Sequence, residues 1–233
     1  MSAGELHVWR VDLDARLDTA EQSRKSLAPD ERLRANRFQF GVDAARYMIC
    51  RAALRSLIAQ YDGGSPSEVV FRYGPNGKPM LDRPGDAAPS LQFNVAHTGG
   101  FALQAFARDY EVGVDVERAD PIPDMESVMR SSFGAGEREM IQALSAPEQT
   151  SAFYRCWTRK EAVLKALGSG IARPLDSFEV STVEHDARLL RMEGGEDSVP
   201  LWTLVHLEPR GGYIGAAAWR GPGLHLTCFT FEV

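Results

Sequence analysis

The sequence is poor in cysteine, in basic charge and in long apolar runs, and each shortage narrows what the chain can do. Its three cysteines, Cys50, Cys156 and Cys228, are odd in number, widely spaced and form no Cys-x-x-Cys pair. That argues against a disulfide scaffold and against zinc or redox chemistry, and it fits core thiols in a reducing compartment. Lys and Arg number 26 against 32 Asp and Glu, a net charge of −6. A polyanionic partner normally demands a basic surface, so nucleic-acid binding is not expected and any anion site must be local. No run of about 18 apolar residues occurs, and the opening MSAGELHVWRVDL has neither a basic n-region nor an apolar h-region. A soluble, cytoplasmic protein that does not engage a membrane is the expectation. No long Pro/Gly/Ser linker interrupts the chain either, so its parts should pack tightly.

What the chain does have is enough apolar residue, 44% of 233, for a sizeable core. The alternation LHVWRVDL predicts a strand over Leu6–Leu13. Start signals at Ser26 and Pro29 predict a helix from about Pro29 to Phe40. Apolar positions at Tyr47, Cys50, Leu54, Leu57 and Ile58 predict a second helix, stopped by Asp62-Gly63-Gly64. Short strands are expected at Val69–Tyr73, around Met80, at Leu91–Val95 and at Phe101–Phe106. From Tyr110 the order recurs: EVGVDVERAD answers LHVWRVDLDAR, SFGAGEREMIQAL answers SLAPDERLRANRF, and a helix around Trp157 answers the one around Arg46. The expected fold is therefore α+β, with two pseudo-equivalent halves, residues 1–108 and 109–233, and a ligand groove at their junction.

The segment FYRCWTRKEAVLKALGSG, residues 153–170, places Phe153, Cys156, Trp157, Val163, Leu164 and Leu167 on one apolar helix face, with Lys160 in its middle. A lone ammonium cannot be buried, so Lys160 either snorkels, is paired, or holds an anion. Glu161 and Lys165, spaced i,i+4, flank that face. In VGVDVE the period of two sends Val112, Val114 and Val116 to one side and Gly113, Asp115 and Glu117 to the other. The two carboxylates then stand about 7 Å apart at Cα. Facing solvent they are ordinary; facing a groove they would repel, and a hard divalent cation bound through oxygen, Mg²⁺, is the remedy, with Glu161 a plausible third ligand. In FNVAHTGGF, Asn94, His97 and Thr98 precede a Gly-Gly turn that suits either a structural histidine or an anion site.

Taken together, NGKP at 76–79, FNVAHTG at 93–99, GVDVE at 113–117 and WTRKEAVLKALGSG at 157–170 resemble the 4′-phosphopantetheinyl transferases, in the long, two-half form. The resemblance implies an enzyme that transfers the phosphopantetheine arm of coenzyme A to a serine of an apo acyl, polyketide or peptidyl carrier protein. It releases adenosine 3′,5′-bisphosphate, needs Mg²⁺, and works as a monomer because both halves lie in one chain. It also implies Asp115, Glu117 and Glu161 as metal ligands, Glu161 and Lys165 as catalytic residues, and Arg34, Arg46, Lys78, His97, Lys160 and Lys165 around the coenzyme A phosphates. Two departures stand out: Ala96 replaces the serine usual before the histidine, with Thr98 a substitute hydroxyl, and Glu31 adds an opposing charge near Arg34. For the carrier, Met125, Val128, Met129 and Phe133, with Arg130 beside them, either pack the second half's core or receive the carrier helix.

Overall fold

The chain begins as its alternation predicts, with strand β1 (Glu5–Asp12) burying Leu6, Val8 and Val11. The structure is a computed structural model and describes residues 1–82, 91–168, 173–193 and 199–232. After a 3-10 stretch come helix α1 (Ala20–Arg24) and helix α2 (Pro29–Ala35), the latter opened by its proline. α2 stops at Ala35 and does not run on to Phe40. Phe40 has to be extended, at φ −109° and ψ 135°, to start helix α3 (Gly41–Asp62). That long helix ends at Gly63, whose left-handed φ of 78° suits a residue without Cβ and directs its N–H to Ala59 O. Strands β2 (Phe71–Tyr73), β3 (Pro79–Leu81), β4 (Leu91–Thr98) and β5 (Phe101–Arg108) complete the first series.

The second series repeats the first: β6 (Val112–Arg118), helices α4 (Met125–Ser132), α5 (Ala135–Gln142) and α6 (Ala146–Leu167), then strands β7 (Phe178–Val180), β8 (Leu189–Met192), β9 (Trp202–Leu207) and β10 (Tyr213–Arg220). The topology matches as well as the order. β1 runs antiparallel to β5 and β5 to β4; likewise β6 runs antiparallel to β10 and β10 to β9. α3 and α6 are each 22 residues long. One strand departs from the division expected at 108/109: β11 (His225–Thr230) returns to pair in parallel with β1, so the end of the chain belongs to the first half's sheet.

The two sheets pack on each other through Leu6, Val8, Leu103, Val114, Ala217 and Trp219. α3 covers the far face of the first sheet through Met48, Ile49 and Ala53, and α6 that of the second through Ala162, Val163 and Ala166. Val112, Val114 and Val116 thus lie between the sheets, while the alternate residues of β6 face α6. Met129 and Phe133, candidates for receiving a carrier, are 2% and 0% exposed and join the core beneath α6. They pack the second half and offer nothing to a partner.

The repeat also answers the question posed by Lys160, and corrects its assignment to coenzyme A. Its ammonium is wholly buried, donating to both oxygens of Glu137 at 2.7 Å and to Phe178 O. Glu137 in turn accepts the N–H groups of Gly134 and Val180. The first half has the same device. Glu31, 1% exposed, accepts from Ala28 N–H and from the guanidinium groups of Arg51 and Arg55. Glu31 and Glu137 are each the third residue of a short helix, and Arg55 and Lys160 each stand fourteen residues after the first residue of a long one. Lys160 is therefore a structural cation tying α6 to α5 and β7. Glu31, for the same reason, is not the opposing charge near an anion site that the sequence suggested.

Candidate active site

The glycine of GVDVE sets the geometry of the site. A Cβ on Gly113 would lie 1.9 Å from Ala162 O and 2.5 Å from Ala166 N, so only glycine lets the backbone of α6 rest directly on β6. That approach brings Glu161 and Lys165 over Asp115 and Glu117. Lys165 Nζ donates to Asp115 Oδ1 at 2.6 Å. Asp115 is 5% exposed, and its Oδ2 is buried without a hydrogen-bond partner. Burial pushes the Asp115 carboxyl up, against the pull of Lys165. Glu117 is raised by burial and then by the charge of Asp115, while accepting a hydrogen bond from Thr98. Glu161 is raised by the same two causes. Three mutually repelling carboxylates, all oxygen donors, one of them with a buried free lone-pair face, suit a hard divalent cation. Among the described residues, however, no group of three His, Cys, Asp or Glu side chains is placed so that it could hold a metal ion. Lys165 supplies the positive charge at Asp115 instead.

Two connected cavities, of about 460 and 510 Å³, run from this cluster across the junction and share Gly77, Pro79 and Val95. The first is lined by Lys78, Asn94, Glu161, Leu164 and Lys165, and the second by Arg34, Arg46, His97 and the rings of Phe38, Tyr47 and Tyr73. Cations from both halves thus meet in one groove. Arg46 is aimed by a two-point bond to Asp14, at 2.7 and 3.0 Å, which raises its pKa further. Arg34 stacks over Tyr47, 5.5 Å from the ring centroid. Burial, then the neighbouring charges of Lys165 and Arg34, hold the His97 imidazole below its ordinary value. Lys78 pairs with Glu111 at 2.6 Å, and Asn76 donates to Gly168 O at 2.9 Å, so the turn between β2 and β3 is fastened to the second half.

Of the residues singled out from sequence, Arg34, Arg46, Lys78, His97, Glu161 and Lys165 line this groove; Asp115 and Glu117 line neither cavity but stand beside Lys165 and Glu161 at its wall, and Lys160 is left out. Ser169 and Gly170 of the helix motif lie outside the described residues. Ala96 is buried in the cluster between the sheets, and the nearby hydroxyl, that of Thr98, is bonded to Glu117. Sequence reasoning missed Asp14, Glu111 and Asn76. Each acts through a partner remote in the chain; Asn76 lies within NGKP and Glu111 begins EVGVDVE, but neither segment names that partner.

Comparisons with known proteins identify the family. A family profile described as the 4′-phosphopantetheinyl transferase superfamily matches residues 111–218, and one described as 4′-phosphopantetheinyl transferase, N-terminal, matches residues 15–108. The chain is 35% identical over 221 residues to the 4′-phosphopantetheinyl transferase HetI of Nostoc sp., covering 94% of this chain and 89% of that protein. It is 30% identical to psf-1 of Bacillus pumilus, covering 91% and 88%, and 30% identical to Sfp of Bacillus subtilis, covering 75% and 76%; both bear the same enzyme name.

Proposed function

Since the chain belongs to the 4′-phosphopantetheinyl transferase superfamily, we propose that its groove carries out that transfer with coenzyme A as donor, Mg²⁺ as the metal and an apo carrier protein as acceptor. One observation supports the assignment of roles: Glu161 lines, together with cations from both halves, a groove beside which Asp115 and Glu117 stand, close enough for the charge of Asp115 to raise the pKa of Glu117 and of Glu161. Asp115, Glu117 and Glu161 would hold Mg²⁺, which when bound neutralises charge on the coenzyme A diphosphate. Lys78, Lys165, His97, Arg34 and Arg46 provide the remaining positive charge along the phosphates, with the rings of Phe38, Tyr47 and Tyr73 beside them.

Phosphoryl transfer needs chiefly positioning and charge stabilisation, so no covalent nucleophile is required of the protein. The carrier serine Oγ forms a bond to the phosphorus that bears the pantetheine arm. The bridging P–O bond breaks, and adenosine 3′,5′-bisphosphate leaves with the electron pair. The serine proton passes to a carboxylate oxygen of Glu161, whose pKa is raised by burial and by the charge of Asp115, which makes it a stronger base than a free carboxylate. Lys165, on the next turn of α6, donates to the transferred phosphoryl oxygens once it releases Asp115.

The two halves work as one monomeric unit, residues 1–108 with the returning last strand and 109 onward, because each contributes only part of the groove. A cytoplasmic site of action fits the three free cysteines, two of them buried; among the described residues no helix is long and apolar enough to cross a membrane. Incubation with coenzyme A, Mg²⁺ and a panel of apo acyl, polyketide and peptidyl carriers tests the reading by mass. A gain of one phosphopantetheine on at least one carrier is expected; no gain on any of them overturns it.

A further inference from the structure

Strand β4 is the last strand of the first half's sheet and β6 the first of the second half's, and the two lie side by side without a shared backbone ladder. What crosses between them is side chain. Asn94, 6% exposed on β4, accepts the Val114 N–H with its Oδ1 at 3.0 Å. Val114 immediately precedes Asp115. Four residues further along β4, Thr98 bonds the Glu117 carboxylate. Asn94 also lines the cavity that holds Glu161 and Lys165.

From this geometry we infer that Asn94 is a positioning residue for the carboxylates of β6, fixing the height of Asp115 and Glu117 against β4 of the other half. The inference rests on the transferase reading. The Val114 N–H lies on the edge of β6 that β10 does not pair, so without Asn94 it must find another acceptor. The next residue along β6 is Asp115, whose Oδ2 is buried without a hydrogen-bond partner. Asn94 thus keeps a backbone donor from competing for the oxygen that a metal would use, and it also sets the strand register between the halves. Partners of this kind, one step removed from a metal ligand, typically matter by about 10- to 100-fold in metal affinity or activity.

The test uses the full chain with three readouts: kcat, the KM for coenzyme A, and Mn²⁺ binding followed by loss of the free-ion EPR signal, with and without coenzyme A. Asn94→Ala should lower kcat and Mn²⁺ affinity by about 10- to 100-fold while leaving the coenzyme A KM little changed. Asn94→Asp keeps the acceptor oxygen for Val114 and should restore Mn²⁺ affinity toward wild type. Unchanged kcat and Mn²⁺ affinity in Asn94→Ala, or a loss confined to the coenzyme A KM, overturns the inference. If Asn94→Ala does not fold, Asn94→Asp decides alone: a folded protein binding Mn²⁺ like wild type supports it, and one with weakened binding overturns it. Should wild type modify no carrier, the transferase reading falls, whereas the Mn²⁺ comparison still judges Asn94.

Discussion

Replacing Lys160 by methionine separates a structural lysine from a catalytic one, because the two roles predict opposite results. On an apolar helix face, read by itself, methionine would be tolerated: it keeps the stem and the volume. The fold reverses that expectation. Lys160→Met leaves Glu137, 0% exposed, with its two backbone donors from Gly134 and Val180 and no counter-charge. Breaking a buried pair by removing one partner costs about 3–5 kcal/mol. That is a large part of a total stability of about 5–15 kcal/mol. For a chain of this size each kcal/mol moves Tm by about 2–4 °C, so the transition should fall by about 6–20 °C. Adding Glu137→Gln removes the stranded charge and should recover much of the loss, since neutral replacement of both partners is often close to even. Thermal melts of wild type, both single variants and the double variant measure the cycle. Carrier modification at a temperature below every transition measures the site. A Lys160→Met protein with an unchanged Tm and lost transfer would refute the structural assignment.

Asp115→Ala should abolish carrier modification without lowering Tm, because it removes a desolvated, repelled carboxylate and leaves Lys165 free to reach solvent; excess EDTA should silence the wild-type enzyme in the same mass assay. Gly113→Ala should destabilise by about 1–3 kcal/mol, since its Cβ meets helix backbone that cannot swing aside. It should also cut kcat by about 100-fold, as a shift of about 1 Å of α6 separates Glu161 and Lys165 from the β6 carboxylates; wild-type kcat with an unchanged melt would show that α6 does not need this approach. His97 gives a pH signature. Its folded-state pKa is depressed, so the ligand-free protein loses stability as pH falls from the ordinary histidine value through the folded one. A bound phosphate favours the imidazolium, so coenzyme A affinity should weaken as pH rises between about 5 and 8, and His97→Gln should flatten that slope. An identical slope in both proteins would remove His97 from the phosphates.

The order of elements, the internal repeat and the faces of β6 were determined by local pattern. The period of two in VGVDVE sends its valines between the sheets and Gly113 and Asp115 toward α6, and Gly63 stops α3 because only a left-handed residue closes its last turn. These follow from contacts within one turn or one pleat, which sequence spacing states directly. The motif residues that gather in the groove were legible for the same reason, as side chains on predictable faces. What the tertiary structure decided is which remote partner each charge takes. One residue along a helix turns the side chain by about 100°, so Lys160 falls toward Glu137 while Glu161 faces the groove, and no spacing within α6 tells which way the buried anion lies. Asp14 aiming Arg46, Asn94 capping Val114, Glu111 meeting Lys78 and β11 returning to β1 join segments far apart in the chain. Each depends on how the two halves pack, and that is fixed by the summed burial between the sheets, not by any local run of residues.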